Sequence, residues 1–155
     1  MIIVSAKINN SASLEKALVN AFKRWAKEDI NEAHWDDQFK DMGRWDYENE
    51  TKRKKTGEVV GSPRDIYDYG LLYESGVNSF KINESPSVVE ASWHWNAKNS
   101  SGEEYAWYVH YGKSTNVTAR PFTDDISIPS SFFHKGPGKA LVRRIGAELT
   151  ALNAN

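Results

Sequence analysis

The sequence predicts an α+β fold, in which a small antiparallel sheet is flanked by an N-terminal and a C-terminal helix. Residues 2–8 and 88–97 alternate apolar and polar side chains, which is the period of half-buried strands. Residues 14–25 and 141–152 carry apolar side chains at steps of three and four, which is the period of an amphipathic helix. A brief strand at 79–83 is followed by a turn too short for a crossover helix, so it pairs antiparallel with 88–97.

The N-terminal half starts with the strand at 2–8, which the polar residues 9–11 break. A helix follows from about Ser13. Its apolar face consists of Leu14, Leu18, Phe22 and Trp25. The helical period restarts at Asp29, because Asp29 and Glu32 have the spacing of a capping residue and its N3 partner. The sequence leaves open whether this region is one bent helix or two.

Residues 43–61 have no clear period, and they contain the basic run Lys52-Arg53-Lys54-Lys55. A structureless segment of this length is unusual inside a compact domain, and such loops are often functional. We interpret the segment either as a solvated loop or as an arm that docks on a neighbouring subunit or lines a negatively charged conduit.

Short elements joined by turns follow. Ser62 and Pro63 predict a helix start, and Gly70 divides this region into two short helical turns. Residues 99–102 form the turn after the longest strand. Beyond the loop at 126–138, the last helix begins near Lys139.

Composition and charge exclude several classes of protein. We expect residues 1–155 to form a single domain with 43–61 as its extended arm, because 39% hydrophobic residues are enough for one core. A net charge of -1 argues against a protein whose whole surface is built to bind nucleic acid or anionic lipid, whereas local basic patches stay open. We recognise no signal peptide and no membrane-spanning run, so we expect a cytosolic product without membrane contact. A chain without cysteine has no disulfide or thiolate chemistry.

Catalytic and metal-binding patterns are not recognised. The histidines lie far apart, and none has the spacing of a zinc motif. Neighbouring acids such as Asp124 and Asp125 are more typical of solvated loops than of glycosidase carboxylates, which lie on separate elements across a cleft. We therefore expect a noncatalytic protein without a cofactor or a metal. His94 is on the polar face of its strand, where we expect a surface or interface role.

The run at 52–55 is the only dense cluster of positive charge in the sequence. Acidic residues flank it and cancel much of its field beyond a Debye length. Sequence-specific nucleic-acid binding is not predicted, whereas nonspecific contact with DNA phosphates stays open.

A short helix precedes a rigid turn near residue 120. Tyr105, Tyr108 and Val109 recur at helical spacing, and Gly112 ends the pattern by allowing a left-handed backbone.

The turn itself is Ala119-Arg120-Pro121-Phe122, in which the residue before proline is extended. We expect Phe122 to anchor inward and Arg120 to aim its guanidinium away from the turn toward a carboxylate. The carboxylate is either an acid of the same chain, such as Asp68 or Glu104, or an acid of a neighbouring subunit.

The order of these pieces resembles the tail-completion or neck proteins of tailed bacteriophages, the family labelled putative tail component. That family has an Asp-Thr-Gly-x-Leu turn before a strand, a Tyr-Ala-x-x-Val-Glu-Tyr/Phe-Gly-Thr helix and an Ala-Arg-Pro-Phe turn. The matching residues here, within 65–126, are Asp68-Tyr69-Gly70-Leu71, 105–112 and 119–122. The chain departs from the pattern at Tyr69, His110 and Lys113, where the family has Thr, Glu and Thr.

The resemblance implies a noncatalytic virion protein that forms a homo-oligomeric, hexameric ring at the head-tail junction. Such a ring joins the tail tube to the connector around the DNA channel, contacts other phage neck, connector and tail-tube proteins, and is assembled in the host bacterial cytoplasm. The expected subunit-interface residues are Lys52, Arg53, Lys54, Lys55, His94, His110, Arg120 and Phe122. The expected structural turn residues are Asp68, Gly70, Gly112 and Pro121.

A stand-alone binding module is the alternative. The chain contains Trp 6 and Tyr 7, and both residue types favour protein interfaces and sugar-binding faces. Their excess on one strand face would suit a carbohydrate or a host protein.

Overall fold

The computed structural model describes residues 1–7, 12–40, 51–52, 57, 59–60, 70–112, 119–124 and 136–153. Its elements follow in the order β1 (Ile2–Lys7), α1 (Ala12–Arg24), a π-helical segment (Trp25–His34), α2 (Trp35–Lys40), β2 (Thr51–Lys52), β3 (Val59–Val60), α3 (Leu71–Asn78), β4 (Lys81–Ser85), β5 (Val88–Trp93), α4 (Ala106–Tyr111) and α5 (Gly136–Asn153). The predicted α+β class is confirmed.

The chain divides into two compact units. Unit 1 consists of Met1–His34, Phe80–Trp93 and Thr123–Asn155, and unit 2 consists of Trp35–Ser79 and His94–Phe122. The expectation of a single domain over 1–155 stays a prediction.

The sheet of unit 1 is antiparallel, with strand order β1-β5-β4. The register sets Ile2 opposite Trp93 on one side of β5 and Lys81 opposite Ser92 on the other. β5 is central, and its alternating residues Val89, Ala91 and Trp93 are buried as the period-2 pattern predicts. The predicted antiparallel pairing of the strands near 79–83 and 88–97 is therefore present, and the strand near residues 2–8 belongs to the same sheet.

The first helix of unit 1 continues as a π-helix instead of ending. α1 passes directly into the π-helical segment, so the restart predicted at Asp29 lies inside a helix and not at a new N-terminus. Two indoles hold the wide segment in place. Trp25 Nε1 donates to the Pro137 carbonyl at 2.7 Å, and Trp93 Nε1 donates to Asn31 Oδ1 at 3.0 Å. These directional bonds favour the wide turns over a regular α-helix.

Ion pairs join the C-terminal helix to the first helix. Arg144 Nη2 lies 2.7 Å from Glu28 Oε2, and Arg144 Nε donates to Asp29. Arg24 Nη1 lies 3.4 Å from Glu148 Oε1. α5 begins at Gly136, which is three residues before the predicted Lys139.

Unit 2 contains an antiparallel pairing that the sequence did not predict. Thr51 lies opposite Val60 and Lys52 lies opposite Val59, so the expectation of a structureless segment at 43–61 is wrong at these residues. Two β-branched residues in β3 explain the local strand preference. The predicted helix start at Ser62 lies outside the described residues, whereas the helix after Gly70 is present as α3.

The core of unit 2 is a cluster of aromatic rings. The Phe122 ring lies 5.0 Å from Phe39, 5.5 Å from Trp95 and 5.3 Å from His110, measured between centroids. Trp95 also meets Trp35 edge to face at 4.7 Å. These separations and tilts are those that aromatic pairs prefer, so the cluster gains stability beyond simple burial.

Candidate interaction site

The short helix α4 ends at Gly112, as the sequence predicts. Gly112 has φ 80° and ψ 164°. The positive φ confirms the need for glycine, but the high ψ lies outside the left-handed helical region that we expected. Gly112 therefore turns the chain away from α4 in a near-extended conformation that only glycine adopts easily.

The Arg-Pro-Phe turn is tied to the same helix by its backbone. The Arg120 N–H donates to the Val109 carbonyl at 2.8 Å, and the Phe122 N–H donates to the Arg120 carbonyl at 2.7 Å across Pro121. Carbonyls in the last turn of a helix have no partner within the helix, so the first bond satisfies one of them. The helix and the turn thus form one corner of unit 2, although they are separated by residues 113–118.

Phe122 anchors inward, as predicted, because its ring lies at the centre of the aromatic cluster. The ring of His110 packs edge-on against it, and His110 is itself buried. An imidazole suits such a ring cluster better than a carboxylate would.

Arg120 is only 9% exposed. From the sequence we expect the guanidinium to aim away from the turn, and the direction of this side chain stays a prediction. The backbone N–H of Arg120 donates to the Val109 carbonyl, and Phe122, two residues later, is buried in the aromatic cluster. These two contacts hold the backbone on either side of the Arg120 side chain and favour its burial. Of the acids considered as its partners, Asp68 lies outside the described residues. A role for Arg120, His110 or Phe122 in a subunit contact stays a prediction.

Two aromatic side chains on α4 face solvent. Trp107 is 65% exposed and Tyr111 is 61% exposed, and their ring centroids lie 4.1 Å apart. Sequence reasoning missed this pair because it followed the residues that repeat toward the core. The signal was present, since residues four apart on a helix share a face.

Two glutamates precede α4, and both are exposed. Glu103 Oε2 accepts a hydrogen bond from Asn99 Nδ2 at 3.1 Å, and Glu104 forms an isolated antiparallel bridge opposite Lys98.

His94 is exposed, which agrees with its predicted position on the polar face of a strand. β5 ends one residue earlier, at Trp93, and not at residue 97 as predicted. The His94 N–H donates to Ser79 Oγ at 2.6 Å instead of to a strand. Burial nevertheless keeps alternating, since Trp95 and Ala97 are buried while His94 and Asn96 are exposed.

The structure describes only some of the remaining residues that the sequence analysis singled out. Lys52 lies in β2, and Gly70 precedes α3 with φ 77°, which supports its predicted role in a turn. Arg53, Lys54, Lys55 and Asp68 lie outside the described residues.

In the part of the chain that the structure describes, no three His, Asp or Glu side chains come together as a metal site. None of the helices described here is long and apolar enough to cross a membrane.

No protein-family model, curated protein or solved structure matches this chain. The resemblance to phage neck proteins therefore rests on the motif residues themselves. The structure shows in addition that the α4 helix and the Arg-Pro-Phe turn form one corner of unit 2, and that the exposed Trp107–Tyr111 pair lies on the helix of this corner.

Proposed function

We propose that this protein is a noncatalytic virion protein that forms a homo-oligomeric ring at the head-tail junction of a tailed bacteriophage. One observation carries the proposal. The two motif segments that resemble the neck family, the Tyr-Ala-x-x-Val helix and the Ala-Arg-Pro-Phe turn, are joined in one corner by the bond from Arg120 to Val109. A shared local structure explains why both segments would be kept together in one sequence.

A closed ring needs two different surfaces on each subunit that meet head to tail. In unit 2, the exposed aromatic pair on α4 suits one of these surfaces. The ring, with six subunits, would surround the DNA channel and join the tail tube to the connector. Its other partners would be neck, connector and tail-tube proteins, and it would reach the virion from the host cytoplasm.

Native mass spectrometry over a series of protein concentrations, with negative-stain electron microscopy, tests the ring. We expect a closed species of six subunits to appear as concentration rises, or when the connector or the tail tube is added as a template. The position of the gene is an independent measurement, and we expect it between portal and tail-tube genes. A monomer under all these conditions, from a gene with no phage neighbours, would contradict the proposal.

A carbohydrate-binding module is the second candidate, and the exposed Trp107–Tyr111 pair favours it. Exposed indole and phenol rings provide flat apolar faces that can stack on a sugar ring. Titration of the natural chain and of Trp107→Ala with an oligosaccharide panel, followed by tryptophan fluorescence, separates the candidates. Saturable binding that the variant loses would support the module, whereas no binding to any sugar would remove it.

A further inference from the structure

We infer that the aromatic pair on α4 of one subunit binds an exposed face of α5 on the next subunit. The α4 pair is Trp107 and Tyr111. The α5 face consists of exposed residues on one side of that helix, namely Lys139, Val142, Arg143 and Gly146. The inference rests on the ring proposed above and names the contact between neighbouring subunits. Since the two surfaces differ and lie on one chain, each copy would offer its α4 pair to one neighbour and its α5 face to the other.

The α4 pair offers apolar area together with the partial negative charge of aromatic ring faces. Both side chains are more than half exposed, and with 4.1 Å between their ring centroids the two rings form one continuous surface. Lysine and arginine side chains are attracted to such ring faces, most strongly to indole. The partner that fits this surface therefore carries an apolar group and a cation side by side.

The α5 face has this combination of groups. Residues three and four apart on a helix are neighbours on its surface, so Lys139 lies beside both Val142 and Arg143. Val142 is 58% exposed, which is unusual for an aliphatic side chain in the middle of a helix, and both cations are exposed as well. A Cβ at Gly146, one turn after Val142, would meet nothing within 4 Å. The face is therefore open on that side, where a partner could approach the helix closely.

Arg143 is available for a contact with another chain. Its side chain is 75% exposed, and its nearest acid is Asp29 at 3.8 Å. Asp29 also accepts a hydrogen bond from Arg144 Nε, so Arg143 can turn to a partner without leaving that carboxylate without a cation. The guanidinium is planar and stacks on aromatic rings, which makes arginine the better of the two cations for this contact.

Complementarity selects a second copy of the chain as the occupant. The rings of the α4 pair match the cations of the α5 face, and the apolar edges of the rings match Val142. A sugar would cover the rings but leave the α5 face unused. A nucleic acid would neutralise the cations but leave Val142 in water, and it has no reason to contact the α4 pair. Only the pairing of the two surfaces uses the exposed apolar groups and the exposed cations together.

The chain has no cysteine, so a disulfide forms only between cysteines that are introduced. Tyr111→Cys and Ala147→Cys are made as two separate variants, which keep Trp107 and Arg143; Ala147 is exposed, four residues after Arg143. The two variants are mixed under assembly conditions, oxidised and run on a denaturing gel. We expect a covalent dimer from the mixture and from neither variant alone, because the contact joins two different surfaces. The control mixes Tyr111→Cys with Ser13→Cys, which is also exposed on a helix of unit 1, and should give no dimer.

A double-mutant cycle tests whether the two surfaces touch each other. Trp107→Ala and Arg143→Leu are each expected to weaken self-association about tenfold, because each removes one side of a cation–π contact. The double variant should be about as weak as either single variant, since the same contact is lost only once. Lys81→Leu is the matched control, because Lys81 is an exposed cation of β4 in the same unit as Arg143, and we expect it to leave association unchanged. Sedimentation velocity measures the association, and thermal melting of each variant checks that folding is intact.

The outcomes separate this contact from the ring itself. Rings that assemble without a disulfide in the mixture, or in which the losses from Trp107→Ala and Arg143→Leu simply add, would overturn the contact and leave the proposed function standing. A covalent dimer from Tyr111→Cys alone would also overturn it, since two α4 pairs would then meet each other. Sugar binding that Trp107→Ala abolishes while association stays unchanged would assign the α4 pair another occupant. If the natural chain stays monomeric with every template, both the ring and the contact are wrong.

Discussion

Unit 1 and unit 2 bury their large aromatic residues in different ways. In unit 1 the indole N–H groups of Trp25 and Trp93 each donate to a defined oxygen, on Pro137 and Asn31. In unit 2 the ring of Phe122 meets the rings of Phe39, Trp95 and His110, and the described strands are only two residues long. Ring contacts occur in both units, since Trp25 lies 5.3 Å from Phe22 and Trp93 lies 5.2 Å from Phe80, but in unit 1 each of these indoles also donates a hydrogen bond to a defined oxygen.

The two units also differ in the side chains that the described helices use for contacts and expose to solvent. In unit 1, ion pairs such as those of Arg144 with Glu28 and Arg24 with Glu148 join the helices. In unit 2, the short helix α4 presents Trp107 and Tyr111 to solvent.

Phe122→Ala is expected to have the largest effect. Its ring touches three others in the core of unit 2, so the variant leaves a cavity that rigid neighbours fill poorly. We expect a loss of about 4 kcal/mol in the free energy of unfolding, measured by urea denaturation. Phe122→Leu, which keeps most of the volume, should lose much less. A loss of the same size in both variants would show that the contact between rings, and not the filled volume, decides stability.

Gly76→Ala and Gly146→Ala compare the packing of the two units at helical glycines. A Cβ at position 76 would lie 2.8 Å from Trp95 Cδ1 and closer still to Nε1 and Cε2. That indole is confined by Trp35 and Phe122, so we expect a loss of about 3 kcal/mol.

At position 146 a Cβ would meet nothing within 4 Å, in the middle of α5. Alanine there should stabilise the chain by about 0.8 kcal/mol, because glycine is the poorer helix former. Thermal unfolding measures both shifts. The comparison fails if the two alanines move the midpoint in the same direction.

Arg144→Leu tests the polar specification of unit 1. The Arg144 side chain is 17% exposed and bonds Glu28 and Asp29, so its loss removes the nearest cation from Asp29, whose side chain is 18% exposed. We expect a loss of about 1.5 kcal/mol, since partial exposure weakens the effect relative to a fully buried pair. Arg143→Leu is the control, because Arg143 is 75% exposed and lies 3.8 Å from Asp29. Equal losses in the two variants, by urea denaturation, would contradict a specific role for Arg144.

The pH dependence of this ion pair has a defined sign. The hydrogen bond with Asp29 raises the pKa of Arg144, and it outweighs burial, which lowers that pKa. A cation whose pKa is raised on folding stabilises the fold below its unfolded-state pKa and loses this effect only as pH rises through the folded value. Both values lie far above neutrality. The stability difference between the natural chain and Arg144→Leu is therefore expected to be equal at about pH 7 and about pH 9, whereas a decline at the higher pH would assign it to another group.

The candidate site shows how far sequence reasoning reaches. The inward anchor at Phe122, the positive φ at Gly112 and the exposed His94 were predicted, because each depends on a local pattern or on the chemistry of one residue type. The burial of Arg120 was not predicted, because nothing in the sequence of the turn indicates that the Arg120 backbone bonds Val109. Trp107 was missed for a related reason: a tryptophan is as suited to a core as to a surface, and only its neighbours decide.

The secondary-structure elements also divide into features that the sequence predicts and features that it does not. Period-2 and period-3.6 patterns alone determined β1, β5, α1 and α5, since side-chain direction along a strand or helix follows directly from backbone geometry. Tertiary structure alone decided that the helix stays continuous through Asp29, that Lys52 pairs with Val59, and that α4 turns Trp107 and Tyr111 outward. The physical reason is that a periodic pattern shows which face of an element is apolar, whereas the segment that covers that face, or leaves it open, comes from distant parts of the chain.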